Sequence, residues 1–215
     1  MQKKYIFFDF DGTLVDTSAG IFDSLIFAFE KMGEPILSES DMRKYIGPPL
    51  EWSFMTYNNM NEQSAAETTK FFRINYKEKG VLMHSLYEGI REMLEILKKK
   101  GKILAVATSK PEHFAVKILK EYNLYDYFDV VSGATLDGSR SSKNEVLSHA
   151  VSLVNPENLS DCVLVGDTDN DVVGALQVGI DCIGILYGFG TKEKLEKAGA
   201  TVTLETPADV ANIID

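Results

Sequence analysis

Two short stretches of the 215-residue chain end apolar runs in carboxylates. "YIFFDFDGT" carries Asp9 and Asp11 one residue apart, followed by Gly12 and Thr13. "CVLVGDTDND" carries Asp167, Asp169 and Asp171. Carboxylates crowded together repel one another unless something positive sits among them. Oxygen-only ligands select a hard cation, and Mg²⁺ is the ordinary occupant. A lone Asp-x-Asp serves equally well as a helix cap or a turn. Two such clusters, each closing an apolar run, point to a metal site.

Other residue types follow further apolar runs. "ILAVATSK" delivers Thr108, Ser109 and Lys110, and "GATLDGSRSSKNEV" delivers Arg140 and Lys143. Competing motifs fail. A calcium loop needs Gly at its sixth position and Glu at its twelfth. Counted from Asp167 those positions hold Val172 and Val178, and counted from Asp9 they hold Leu14 and Gly20. There is no Walker loop, no His-Glu-x-x-His and no Gly-x-Ser-x-Gly, and the Gly188–Gly190 pair lacks the third glycine of a dinucleotide loop. His84, His113 and His149 read as surface or helix residues, away from every strand end, so no hydrolytic triad is expected.

The elements that must position these residues alternate. Apolar runs at 5–9, 103–109, 128–133, 162–167 and 182–188, with a weaker one at 201–205, are mostly continuous rather than alternating. Strands buried on both faces look like this. Between them lie helical patterns. Residues 87–99 place Ile90, Met93, Leu94 and Leu97 on one face, and Gly101 follows as a stop. Residues 111–122 open with Pro111 in the first turn, and 143–154 align Val146, Leu147, Ala150, Val151 and Val154. The expected fold class is α/β: a Rossmann-like parallel sheet flanked by helices. In such sheets ligands bind outside the carboxyl ends of the strands, where the polar residues above converge.

Residues 17–83 break the rhythm with helical patterns alone, the first placing Ile21, Leu25, Ala28, Phe29 and Met32 on one face. The expected organisation is a core of 1–16 and 84–215 with an all-helical cap, 17–83, inserted after the first strand. An insert leaving from that strand's end is placed to act as a lid. Within it, Trp52, Phe54, Phe71, Phe72 and Tyr76 read as packing the insert's own core. Arg43, Lys44 and Gly47 in "RKYIGPPLEW" read either as a substrate-facing loop or as a helix connection with surface cations. Arg140 reads either as a substrate contact or as a turn residue.

Composition excludes several classes. Hydrophobic residues make up 45%, enough for a sizeable core, and 22 basic residues against 32 acidic give a net charge of −10. That balance argues against a nucleic-acid polymer as partner. Cys162 and Cys182 lie inside apolar runs and read as buried thiols. No run approaches a membrane span or a signal peptide, so a cytoplasmic protein without a membrane partner is expected, a monomer or dimer.

Taken in order, "DFDGTLVD", "VATSK", Lys143 and "GDTDND" resemble the four motifs of the haloacid dehalogenase-like superfamily of phosphohydrolases. The resemblance covers the whole chain. The helical insert resembles the cap of the phosphoglycolate phosphatase and phosphoglucomutase branch. "YIGPPLEWSF" and "TLDGSRSSKNEVLSHA" resemble its group often described as 5′-nucleotidases. One departure is "SSKNE", where many relatives follow the lysine with proline. The resemblance implies a phosphatase of a small phosphorylated metabolite, with a 5′-nucleotide first and phosphoglycolate, a sugar phosphate or a phosphomutase reaction behind. The other reading is a non-catalytic phosphate-binding protein that keeps the fold, against which the intact set of Asp9, Asp11, Thr108, Lys143 and Asp167 counts. It implies Asp9 as nucleophile and Asp11 as acid and base. It implies Thr108, Ser109, Gly12 and Lys143 around the phosphoryl group, and Mg²⁺ held by Asp9, the Asp11 carbonyl and Asp167, with Asp171 as ligand or support.

Overall fold

The apolar runs become the strands of the main sheet. In the computed structural model, which describes residues 1–215, the elements in chain order are β1 (Tyr5–Phe8), β2 (Val15–Asp16), α1 (Ser18–Met32), α2 (Glu39–Met42), α3 (Leu50–Asn58), α4 (Glu62–Glu78), β3 (Ser85–Leu86), α5 (Ile90–Lys99), β4 (Ile103–Pro111), α6 (Glu112–Glu121), β5 (Val130–Ala134), α7 (Lys143–Val154), β6 (Cys162–Gly166), α8 (Asp169–Val178), β7 (Asp181–Ile185), α9 (Lys192–Ala198), β8 (Val202–Leu204) and α10 (Pro207–Ile213). They fall into two units, one of Met1–Val15 with Leu86–Asp215 and one of Asp16–Ser85.

The first unit is an α/β layer structure. Its six strands are parallel in the order β5-β4-β1-β6-β7-β8. β1 lies at the centre with β4 on one side and β6 on the other, so the chain's direction of travel across the sheet reverses there. That reversal opens a crevice at the carboxyl ends of β1, β4 and β6. All four residues of β1 are buried, which is why this strand is continuously apolar. In α5, Ile90, Met93, Leu94 and Leu97 are buried, the stripe the spacing predicts. Pro111 stands one position earlier than expected, as the N-cap residue of α6 with φ −53°. Cys162 and Cys182 are free, buried thiols, and the register sets Cys182 opposite Leu164 rather than Cys162.

The second unit is helical. Phe29, Tyr45 and Phe54 pack their rings at 5.5 to 6.2 Å and are all buried. Phe72 and Tyr76, one turn apart on α4, stack at 5.6 Å, whereas Phe71 is half-buried. Trp52 corrects the sequence reading. It is 48% exposed, edge-on to Tyr57 at 5.6 Å. Phe54 takes the buried face of α3, and a residue two positions earlier lies about 200° around the helix. No helix of the structure is long and apolar enough to cross a membrane.

Candidate active site

The loop after β1 sets the first carboxylates. Asp9 N–H donates to the Val165 carbonyl at 2.9 Å, which keeps Asp9 in register with β6. The chain then turns: Leu14 and Val15 N–H both donate to the Phe10 carbonyl, and Gly12 N–H donates to that of Val15. Gly12 has φ +87°, and a β-carbon there would stand 2.2 Å from Asp167 Oδ2. Only glycine lets the turn close against that carboxylate.

β4 delivers the hydroxyls through an irregularity. Its pairing with β5 shifts register between Ala107 and Pro111, the stretch holding Thr108, Ser109 and Lys110. Such a break re-aims side chains out of the ladder. Thr108 is buried, and its Oγ1 accepts from the Lys110 N–H at 3.2 Å.

β6 and α8 supply the second acidic group. Asp167 is fully buried: Oδ1 accepts from Thr13 Oγ1 at 3.1 Å and Oδ2 from the Phe189 N–H at 2.8 Å. Asp171 closes a capping box at the start of α8, its Oδ2 accepting from Thr168 N–H at 2.9 Å and from Thr168 Oγ1 at 2.7 Å. Carboxylate oxygens of Asp9, Asp167 and Asp171 lie within 4.8 Å of one another. Asp169 is exposed on the first turn of α8.

α7 brings in the cation. Ser142 and Glu145 form its capping box, with Glu145 Oε2 accepting from the N–H groups of Ser141 and Ser142 at 2.9 Å each. Lys143, the first helical residue, is thereby aimed inward. Its Nζ donates to Asp9 Oδ1 and to the Ala107 carbonyl at 3.1 Å, and stands 2.8 Å from Asp171 Oδ1. The absence of a following proline therefore does not displace the lysine.

Electrostatics follow from this crowding. Burial pushes the Asp9 carboxyl up to about 7, with Lys143 opposing and Asp171 adding to the shift. Burial, then Asp171 and Asp9, push Asp167 well above the carboxylate range. Burial disfavours a charged Lys143, but Asp171 and Asp9 outweigh it and hold the ammonium above its ordinary value. Ionised together, three carboxylates against one ammonium would leave two negative charges in excess, which is why burial without an ion keeps protons on them. A divalent cation is the charge this donor set lacks, and its all-oxygen chemistry fits Mg²⁺.

Two features carry no role in the sequence reading. Lys110 is buried and donates to Asp11 Oδ1 at 2.9 Å. The Gly188-Phe189-Gly190 turn, legible only as a failed dinucleotide loop, wraps Asp167. A β-carbon on Gly190 would stand 1.9 Å from the Asp167 carbonyl oxygen, a backbone atom. Gly190→Ala is accordingly expected to destabilise the protein by about 1–3 kcal/mol, as overpacking does. Urea midpoints of the variant and the parent protein check this.

Arg140 is committed within its unit, Nη2 to Glu112 Oε2 at 3.0 Å and Nε to the Gly133 carbonyl at 2.9 Å. That favours the turn reading over substrate contact. Arg43 and Gly47 belong to the helical unit; Arg43 is exposed on a short 3-10 turn and Gly47 has φ +102°. Lys44 pairs with Asp41 at 2.6 Å.

A central strand ending in two aspartates, a buried Asp–Lys–Asp cluster and a parallel sheet define a phosphoryl-transfer enzyme of the α/β class. Residues 6–185 match the family model of the haloacid dehalogenase-like hydrolases, and the chain belongs to that family. It is 38% identical to a 5′-nucleotidase of Pseudomonas aeruginosa over 91% of this chain and 88% of that one. It is also 38% identical to the tyrosine-protein kinase PtkA of Mycobacterium tuberculosis, over 94% of this chain and 68% of that one. A crystal structure of a predicted phosphatase from Clostridium acetobutylicum superposes with a TM-score of 0.95 at 37% identity, covering 99% and 98% of the two chains. The chain is a phosphatase, a hydrolase of phosphoric monoesters.

Proposed function

We propose that the enzyme is a Mg²⁺-dependent phosphomonoesterase of small metabolites that works through an aspartyl-phosphate on Asp9, with nucleoside 5′-monophosphates as its leading substrates. The observation that carries the chemistry is the buried cluster of Asp9, Asp167 and Asp171 around Lys143, two negative charges in excess. The likeness to the Pseudomonas aeruginosa 5′-nucleotidase supports the substrate class. Phosphoglycolate, sugar phosphates and a phosphomutase reaction stand behind it.

Asp9, Asp167, Asp171 and the Asp11 carbonyl would hold Mg²⁺, which when bound shields the nucleophile and the phosphoryl oxygens from each other's charge. Asp9 Oδ attacks phosphorus while the P–O bond to the leaving group breaks, and Asp11 delivers a proton to the departing oxygen. A water then attacks phosphorus, Asp11 takes its proton, and the Asp9–phosphorus bond breaks to free inorganic phosphate. Thr108 Oγ1, the Ser109 N–H and Lys143 Nζ would hold the transferring oxygens, and Gly12 lets the backbone approach them. The helical unit would choose the substrate.

The test is phosphate release from nucleoside 5′-monophosphates, phosphoglycolate, pyrophosphate and hexose phosphates, with Mg²⁺ and with EDTA. A selective, EDTA-sensitive signal on the nucleotides is expected. Equal release from every ester would overturn the nucleotide preference, and undiminished release in EDTA the metal requirement. One similar protein is named a tyrosine kinase, so the panel includes ATP with a tyrosine-containing protein. Label moving from ATP to tyrosine would mean that a phenol, rather than water, receives the phosphoryl group.

The raised carboxylates make the ion's effect pH-dependent. Between about pH 4 and 7 the folded protein keeps a proton on Asp9 that the unfolded chain has lost, so without the ion stability falls as pH rises through that window. Mg²⁺ binds the ionised form and reverses the loss. The rise in melting temperature on adding Mg²⁺ is therefore expected to be several degrees larger at pH 8 than at pH 5. Equal rises at both pH values would contradict the assignment of these carboxylates to the ion.

A further inference from the structure

One buried charge has no part in the chemistry above. Lys110 stands at the irregular end of β4, its side chain 3% exposed, and its ammonium donates to Asp11 Oδ1 at 2.9 Å. The face of the Phe10 ring lies 5.8 Å from the same nitrogen. The lysine's backbone is fixed on both sides. Its N–H donates to Thr108 Oγ1, and its carbonyl packs so closely on Gly133 that a β-carbon there would stand 2.7 Å from it.

Asp11 needs such a support. It sits in a turn two residues after Asp9, and like charges favour its swinging away from the other carboxylates. An acid that serves a leaving oxygen must instead stay within hydrogen-bond reach of it. An ammonium held by rigid backbone and aimed at one carboxylate oxygen fixes that direction and leaves the other oxygen to face the substrate.

We infer that Lys110 is a positioning residue for Asp11: it holds the carboxylate in the orientation from which the leaving oxygen is protonated, and itself neither gives nor takes a proton. The inference rests on the reading of Asp11 as the acid and base.

The experiment compares two leaving groups through kcat/KM, which reports the steps up to their departure. p-Nitrophenyl phosphate loses a stable phenolate that needs little protonation. A nucleoside 5′-monophosphate, or β-glycerophosphate, loses an alkoxide that needs the proton. Lys110→Met is expected to lower kcat/KM on the alkyl ester by about 10- to 100-fold and on the aryl ester by less than about 3-fold, a fraction of what general acid catalysis supplies. Asp11→Asn is expected to show the same bias more strongly, and adding Lys110→Met to it should cost less than about 3-fold more. Lys110→Arg, which keeps the charge, should recover part of the alkyl activity.

Equal losses on both esters would mean a structural role or a contact to the phosphate, and would overturn the inference. So would multiplicative losses in the double variant. A biased Asp11→Asn with an unbiased Lys110→Met overturns the inference alone. An unbiased Asp11→Asn overturns the reading of Asp11 and the inference with it. Should Lys110→Met fail to fold, Lys110→Arg carries the comparison, with a smaller bias of the same sign expected and none overturning it.

Discussion

Asp9→Asn is expected to lower kcat on every phosphate ester by at least about 10⁴-fold, the scale on which a covalent nucleophile is lost, while leaving the protein folded. The two halves of this expectation have one cause. Burial raises Asp9 to about 7, so its charged form is costly to the fold. Asparagine has the shape of the protonated acid and, like it, carries no charge. It removes one of three crowded carboxylates and leaves Lys143 beside Asp171 at 2.8 Å. Without Mg²⁺ at pH 8 the variant should melt no lower than the parent protein, and it should gain less from the ion. Stability given up for chemistry is the usual pattern at a working site. Phosphate release and melting curves check both halves. A variant retaining a hundredth of the activity would remove Asp9 from the covalent role, and one that melts well below its parent would show the carboxylate to be structural.

The sheet was legible because burial on both faces leaves a plain mark, a run of apolar residues such as "YIFF" or "CVLV". Asp9 and Asp167 were legible because each follows such a run directly, and Asp11 and Asp171 because they stand two and four residues further on. What escaped depends on contacts between distant positions. Lys110 lies 99 residues from Asp11, and a lysine after a strand is ordinary until its partner is known. The Gly188-Phe189-Gly190 turn contributes an N–H and an absence of side-chain atoms, and neither has a residue-type signature. Arg140 carries a charge that chemistry could have used, yet Glu112 and a backbone carbonyl engage it. Trp52 shows the limit from the other side: an aromatic residue reads as core by type, while helix phase decided for Phe54.

Lys143→Met should damage activity and fold together, and pH separates the two. The side chain is 7% exposed and is the one ammonium paired with the cluster's carboxylates, meeting both Asp9 and Asp171. Removing it turns an excess of two negative charges into three. Breaking one side of a buried ion pair typically costs about 3–5 kcal/mol, and losing a charge that stabilises the transferring group costs about 10²–10³ in kcat. The lysine's own raised pKa contributes no slope below its ordinary value, since it is protonated in both folded and unfolded chains across pH 5 to 8. The slope comes from the carboxylates. With their counter-charge gone they hold their protons to higher pH, so the variant's deficit should be small near pH 5, where protons stand in, and large at pH 8. Mg²⁺ should recover much of the stability at pH 8 and little of the turnover, because a cation among the carboxylates restores charge balance without restoring a donor at the Lys143 position. Urea midpoints at the two pH values, with and without Mg²⁺, decide it. A deficit of the same size under all conditions would show that the methylene stem, rather than the ammonium, is what the fold requires.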